Sequence, residues 1–352
     1  ISGNDASRVF RMTGGSTDVD LLSLTLTNGS STGHGGAVYA SSIGTLDIQD
    51  TTIRNSVSGD GGGLVASATD VTLTNSLVTG NSANSFGGGI YVRTGSTLTV
   101  TSSTIHDNTS NSFGGGISAI TSTVTLLNST VTGNQADADG GSTTRGGGID
   151  DFGSTITVIN SVVAENTSGT SMTANDVSGT IDTSTNSVFG TGVSGVTNGV
   201  NGNLTGVADV GLGALADNGG TVMTRNIESG SVLINAGSNA AASSLATDAN
   251  GNDRITFGTV DVGATEFNGP LVVTTASDVV DANDGLLSLR EAITLANANA
   301  DADVITFDAS LAGQTITLTG GELVLTQDVT IDGDTDGDHK ADITISGNDA
   351  SR

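Results

Sequence analysis

GGGLVASATDVTLTNSLVTGN, residues 61–81, is followed by GGGIYVRTGSTLTVTSSTIHDN, residues 87–108, and then by GGGISAITSTVTLLNSTVTGN, residues 114–134. The three stretches align glycine on glycine and asparagine on asparagine. Between those marks apolar residues alternate with small polar ones, the period of two that belongs to a β-strand, and no helical period competes. Related starts, GGAVYA at Gly35 and GGGIDD at Gly146, extend the series. The five starts, Gly35, Gly61, Gly87, Gly114 and Gly146, lie 26, 26, 27 and 32 residues apart. The longest spacing is explained by an insert, DADGGSTTR, let out at one turn before Gly146.

Alignment of the units produces apolar columns. Leu46, Val71, Leu98, Val124 and Ile156 form one, Ile48, Leu73, Val100, Leu126 and Val158 a second, and Ile53, Val78, Ile105, Val131 and Val163 a third. Each unit reads as three short strands separated by turns. A 26-residue unit cannot bury its apolar face alone, whereas stacked units share a continuous aliphatic core. The expected fold is therefore all-β: a right-handed parallel β-helix, a solenoid whose rungs pair at about 4.8 Å, with one short capping α-helix.

Composition agrees with narrow aliphatic columns. The 352 residues include 52 glycines, one proline, no cysteine and no tryptophan, and only 3% are aromatic. Zero cysteine excludes a disulfide framework and thiol chemistry. Ten Lys and Arg against 37 Asp and Glu leave a formal charge of -27. A nucleic-acid partner is disfavoured, because phosphate binding needs clustered cations. No stretch reaches the 18 or so apolar residues of a membrane span. The first residue is Ile1 and no signal-peptide pattern precedes it, so a fragment or processed piece is expected.

Two polar columns share the register. Asp50, Asn75, Ser102, Asn128 and Asn160 follow the second apolar column, and Asn55, Asn81, Asn108, Asn134 and Asn166 end each unit. Stacked amides hydrogen-bond along a solenoid, and Asn tolerates left-handed turns, so these positions read as structural ladders. Asn108, Asn128 and Asn166 also begin N-x-S/T sequons, the alternative reading. Tyr39 and Tyr91 fall in one outward column with Val65 between them, a candidate surface for a glycan or a partner.

Beyond the regular units, residues 175–226 are glycine-rich and predict less regular rungs. TVMTRNIESGSVLINAGSNA and DRITFGTVDVGATEFNG return to strand patterns. Residues 288–299, SLREAITLANAN, predict a helix: Ser288 and Glu291 make a capping box, and Leu289, Ala292, Ile293 and Ala296 share one face. Such a helix closes the open end of a strand stack. The domain reading is a β-helix body over 1–267, a linker between modules over 268–287, and the capping helix with the first rungs of a following module over 288–352.

The strongest candidate for chemistry is DGDTDGDHKAD, residues 332–342. Asp332, Asp334 and Asp336 occupy the first, third and fifth places of an EF-hand-like loop, Gly337 the sixth, and Asp338 the seventh, where a carbonyl would be offered. Ile343 stands at the twelfth place, where a bidentate Glu belongs, and Asp342 precedes it. Five carboxylates in so short a segment repel one another unless a cation neutralises them, which points to calcium as the cofactor.

The run DVVDANDGLLSLREAI, residues 278–293, resembles the CSLREA-type segment of bacterial surface proteins, with Leu287 at the cysteine of the family name and SLREA intact. DVGATEF, residues 261–267, is similar to the closing strand of such β-helices, and the GGGI units resemble the repeats of polymorphic outer-membrane proteins. The resemblance implies an exported β-helical protein and no catalytic residues.

ISGNDASR occurs twice, at residues 1–8 and 345–352, a distance of 344. This identity is expected if the chain is a window onto tandem modules of that length, whose partners are neighbouring copies joined head to tail, covalently or in a filament. Enzymes are the competing class. His34 in GHGG and the pair Asp150 and Asp151 suggest polygalacturonases, but their order along the chain is reversed. The expectation is a structural, extracellular module of a fibre, stalk or filament, adhesive and calcium-stabilised. A polysaccharide lyase or hydrolase and a glycan-binding adhesin module are the alternatives.

Overall fold

The computed structural model describes residues 1–140, 145–281, 284, 286–298 and 303–348. The aliphatic columns are columns in space. Four parallel sheets of seven strands each run along the solenoid, and every sheet takes one strand from each successive rung, apart from a final strand, Thr173–Ala174, that pairs antiparallel. In sheet II, Asp70–Thr74 lies between Thr45–Gln49 and Thr97–Thr101, with Leu46, Val71, Leu98, Val124 and Ile156 in register. Sheet III stacks Leu26, Ile53, Val78, Ile105, Val131, Val163 and Phe189. Sheet I, built on strands such as Ile90–Arg93, stacks Val38, Leu64, Ile90, Ile117, Ile149 and Val177. These side chains are fully or almost fully buried in one apolar core. Each contributes about 1.5–3 kcal/mol of burial. The fold is a right-handed parallel β-helix.

Each rung has four strands rather than the expected three. The fourth, in sheet IV, is as short as Ser82–Ala83 or Thr109–Ser110. Two residues leave no periodicity, so the strand was invisible to an alternation argument.

The structure explains why the glycine triplet and the asparagine occur together. In the third rung the first glycine, Gly87, is left-handed (φ 61°). A Cβ on the second, Gly88, would collide with the carbonyls of Thr109 and Gly115 in the next rung. On the third, Gly89, it would lie 3.0 Å from the Asn108 carboxamide carbon. The same third-glycine contact joins Gly63 to Asn81 and Gly116 to Asn134. Gly88→Ala is therefore expected to cost about 1–3 kcal/mol through overpacking against backbone that cannot move away, read as a lowered midpoint of urea unfolding.

The stack ends near Val188–Phe189. Rungs beyond residue 175 are short, as the glycine-rich composition implied. An antiparallel hairpin, Leu212–Ala216 with Thr224–Ile227, follows. The chain then folds back along the flank of the solenoid. Thr221 donates its hydroxyl to Asp50 (2.9 Å), Ser238 N–H bonds the Asn160 side chain (2.8 Å), and Ala264 N–H bonds the Thr130 hydroxyl (3.0 Å). Here the sequence reading needs correction. DRITFGTVDVGATEFNG forms none of the extended strands its alternation suggested. Residues 260–267 are instead buried without interruption along a chain of turns, with Gly263 at φ 116°.

A second parallel stack then begins. Leu271–Val273, Asp303–Phe307 and Val329–Ile331 form one sheet, and Thr315–Thr317 pairs with Thr344–Ser346. The stretch expected to link modules thus holds a strand, with Leu271 and Val273 buried. The helix spans Leu289–Ala298 and buries Leu289, Ala292, Ile293 and Ala296, the face anticipated; Asn299 lies outside the described residues. Ser288 N–H donates to the Glu291 carboxylate (2.8 Å) and Glu291 N–H to the Ser288 hydroxyl (3.2 Å), a reciprocal capping box. The helix shares an apolar cluster with the second stack and with Val162, Ala164 and Val188 of sheet III. A four-residue helix, Asn239–Ala242, was not anticipated.

Candidate metal loop and polar networks

The acidic loop leaves the strand Val329–Ile331. Its carboxylates cap their own turns. Asp332 accepts from Asp334 N–H (3.1 Å), Asp334 from Gly337 N–H (2.7 Å) and His339 N–H (2.7 Å), and Asp336 from Asp338 N–H (3.1 Å). These bonds hold the Asp334 carboxyl below its ordinary pKa, the His339 N–H foremost. Gly337 (φ 79°) and His339 (φ 64°) supply the sharp turns. The result brings together one oxygen each from Asp334, Asp336 and Asp338, all within 4.8 Å of one another. Asp338 therefore enters through its carboxylate, where a carbonyl was expected, and also pairs with Lys340. Asp332 and Asp342 stand outside this trio. Asp342 is turned to Thr335, accepting from its N–H (2.8 Å) and hydroxyl (2.6 Å).

The second polar feature is the asparagine ladder. Asn81 donates its side-chain N–H to Asn108 (2.9 Å), Asn108 to Asn134 (3.0 Å), and Asn134 to Asn166 (2.9 Å). Asp176 terminates it, accepting from both the backbone N–H (2.7 Å) and the amide (2.9 Å) of Asn166. Burial raises the Asp176 carboxyl pKa in spite of these bonds. The other asparagine column uses left-handed turns, with φ 47° at Asn75, Asn128 and Asn160. Asn108, Asn128 and Asn166 are fully buried, which leaves no room for a glycan on these sequons.

The outward face of sheet I is not bare. Tyr39 and Tyr91 share a column with Val65 between them, as read. Tyr91 is only 5% exposed, however, because Phe86 stacks on it at 5.2 Å between ring centroids. Phe86 stacks in turn on Phe113 (4.8 Å), and the Arg145 guanidinium lies 4.2 Å from the Phe113 centroid. Tyr39 packs against His34 (5.7 Å) beneath Arg8 (5.3 Å). The residues before the glycines, a column that varies along the sequence, are thus a lid over sheet I. That column was the signal that could have revealed it.

His34 Nδ1 lies 2.9 Å from the Asp60 carboxylate in the next rung. Asp150 stands four rungs further on, about 19 Å away at the spacing of paired strands. It is fully buried, and burial pushes its carboxyl up to about 6 against the opposing charge of Arg145. Its neighbour Asp151 accepts from Ser154 N–H (2.7 Å). A glycosidase needs two carboxyl groups flanking one bond, within about 10 Å, so His34 and the aspartate pair do not meet at a common substrate.

Two charged clusters escaped the sequence reading. In the folded-back segment Arg254, 1% exposed, meets Glu266 (3.3 Å) and donates to the carbonyls of Gly263 (2.8 Å) and Ala264 (3.2 Å). Asp261 accepts from Asn235 N–H and Phe267 N–H, both at 2.6 Å, and Asp248 from Glu266 N–H (2.8 Å). Desolvation pushes Asp261 up to about 7 and Glu266 up to about 9. Charged residues embedded in a mostly apolar stretch, Arg254, Asp261 and Glu266, were the available clue. The second cluster gives the arginine of SLREA its job. Arg290 holds Asp278 in a bidentate pair (2.8 and 2.9 Å) and donates to Gly321 O (2.8 Å), while Asp278 also accepts from Thr319 N–H (2.6 Å). This bonding, Arg290 first, lowers the Asp278 carboxyl to about 2.

Among the described residues no helix is long and apolar enough to cross a membrane. The chain matches no protein-family model, no curated protein and no solved structure.

Proposed function

We propose that the chain is a structural module of an exported bacterial surface protein, built from tandem copies into an extended fibre, stalk or filament with an adhesive role. The observation that carries this reading is the stacked solenoid: four parallel sheets close on a core filled by aliphatic columns, and His34 and Asp150 stand four rungs apart. The SLREA segment supports assignment to CSLREA-type proteins, since Ser288, Arg290 and Glu291 each make a contact that the segment's fold requires. The chain acts as scaffold rather than enzyme. Clear product release from the full chain against a panel of acidic polysaccharides would overturn that choice.

Calcium is the proposed cofactor, held by Asp334, Asp336 and Asp338. Hard carboxylate oxygens gathered on one turn suit it. Calorimetric titration of the full chain with calcium alone is expected to give saturable heat and a raised melting temperature. Asp336→Asn with Asp338→Asn is expected to abolish both. Absence of saturable heat in the unaltered chain counts against a calcium site.

A further inference from the structure

We infer that the open strand edge formed by residues 1–34 is completed by residues 303–346 of a second copy of this sequence, so that one parallel β-helix runs through the join without a hinge. This rests on the reading of the chain as a repeated module and names how its copies meet.

The described part of the second occurrence, ISGN at 345–348, adopts the turn of residues 1–4. Asn4 N–H donates to the Ser2 hydroxyl (3.0 Å), and Asn348 N–H to the Ser346 hydroxyl (3.2 Å). Asn4 has φ 53° and Asn348 φ 52°. Each occurrence has a parallel strand partner on one side, and the sides are opposite in sequence order. Ser2 bridges forward to Thr27, with Ile1 O accepting from Thr27 N–H (3.0 Å) and Gly3 N–H donating to Thr27 O (3.0 Å). Ser346 pairs backward with Thr317, and Ile345 with Ile316.

Placing residues 345–348 on residues 1–4 gives one segment with a partner on each side. The column then reads Ile316, Ile345 in the place of Ile1, Leu26, Ile53 and Val78, all aliphatic, continuing the inner column of sheet III. Ile1 is 59% exposed and Ile345 45% exposed, and each is bare on the side where the other is covered. Gly3 fits the same arrangement. A Cβ there would collide with Ser7 O in its own turn and lie 2.7 Å from Asn28 O and 2.8 Å from the Gly29 Cα, so the turn and the rung that follows both demand glycine, and Gly347 repeats it. The solenoid therefore starts under the helix Leu289–Ala298 of one copy and ends near Phe189 of the next.

The test uses a chain of two copies sharing one octapeptide, residues 1–352 followed by 9–352, compared with the single copy by hydrogen exchange and mass spectrometry. Amides of 344–346 at the join are expected to exchange about tenfold or more slowly than in the single copy, as that strand passes from an edge to the interior of a sheet. Ile345→Asp at the join is expected to erase that gain, and to change little in the single copy, where the side chain is already exposed. Join amides that exchange as fast as in the single copy, with residues 38–164 of both copies still protected, would overturn the inference and leave the solenoid module standing. Loss of protection over 38–164 in the unaltered chain would instead overturn the module reading itself.

Discussion

Asn108→Ala is expected to be among the most damaging single changes outside the aliphatic columns, costing about 1–3 kcal/mol for every buried partner it orphans. Asn108 is fully buried. Its amide donates to Val78 O (2.9 Å) and to Asn134 (3.0 Å), and its oxygen accepts from both the backbone N–H (3.1 Å) and the side chain (2.9 Å) of Asn81. Alanine removes these four bonds and a fifth to His106 O (3.0 Å), and leaves the buried Asn81 N–H without its acceptor. The same change at Asn55, which shares the sequence column but lies exposed below the start of the ladder, is expected to cost little. Urea unfolding of the two variants measures the difference. Equal, small effects would show that the ladder does not hold the rungs.

Arg254→Met is expected to cost about 1–3 kcal/mol for each buried acceptor it orphans. The methionine fills similar volume, so the loss is in bonding: the carbonyls of Gly263 and Ala264 and the Glu266 carboxyl group stay buried without their donor. The cluster also sets a pH dependence. Asp261, near 7, and Glu266, near 9, sit above the unfolded values of about 3.9 and 4.3. The folded chain thus holds protons that the unfolded chain releases, so stability falls as pH rises from about 4 towards 9. Asp150, near 6, adds in the same direction. Asp278, near 2, acts oppositely: its contribution is present above about pH 4 and is lost as pH falls towards 2. Melting temperature is therefore expected to peak near pH 4, to about one unit. A peak at pH 8 or above would contradict the protonated cluster.

What could be read from the sequence was whatever repeats. The columns through Leu73, Leu126 and Val131, the glycine triplets and the capping box at Ser288 all follow from period and spacing, because stacking makes each rung answer to the same neighbours. The rest depends on contacts made once. Thr221 reaches Asp50, 171 residues away, and Ala264 reaches Thr130, 134 residues away; nothing periodic announces either. The segment around Arg254 alternates in sequence yet is buried without interruption over 260–267, charged positions included. Tyr91 was placed in the right column yet covered by Phe86, because the residue before each glycine triplet varies in type while keeping its position. In the acidic loop the motif located the carboxylates, but which three converge was decided by Thr335, which takes Asp342 away.

A solenoid that continues from copy to copy can be seen by electron microscopy of the native protein. The expected image is a thin, unbranched filament or stalk with a regular repeat along its length, its rungs continuing through each join. Discrete compact particles with a substrate-sized cleft would contradict it.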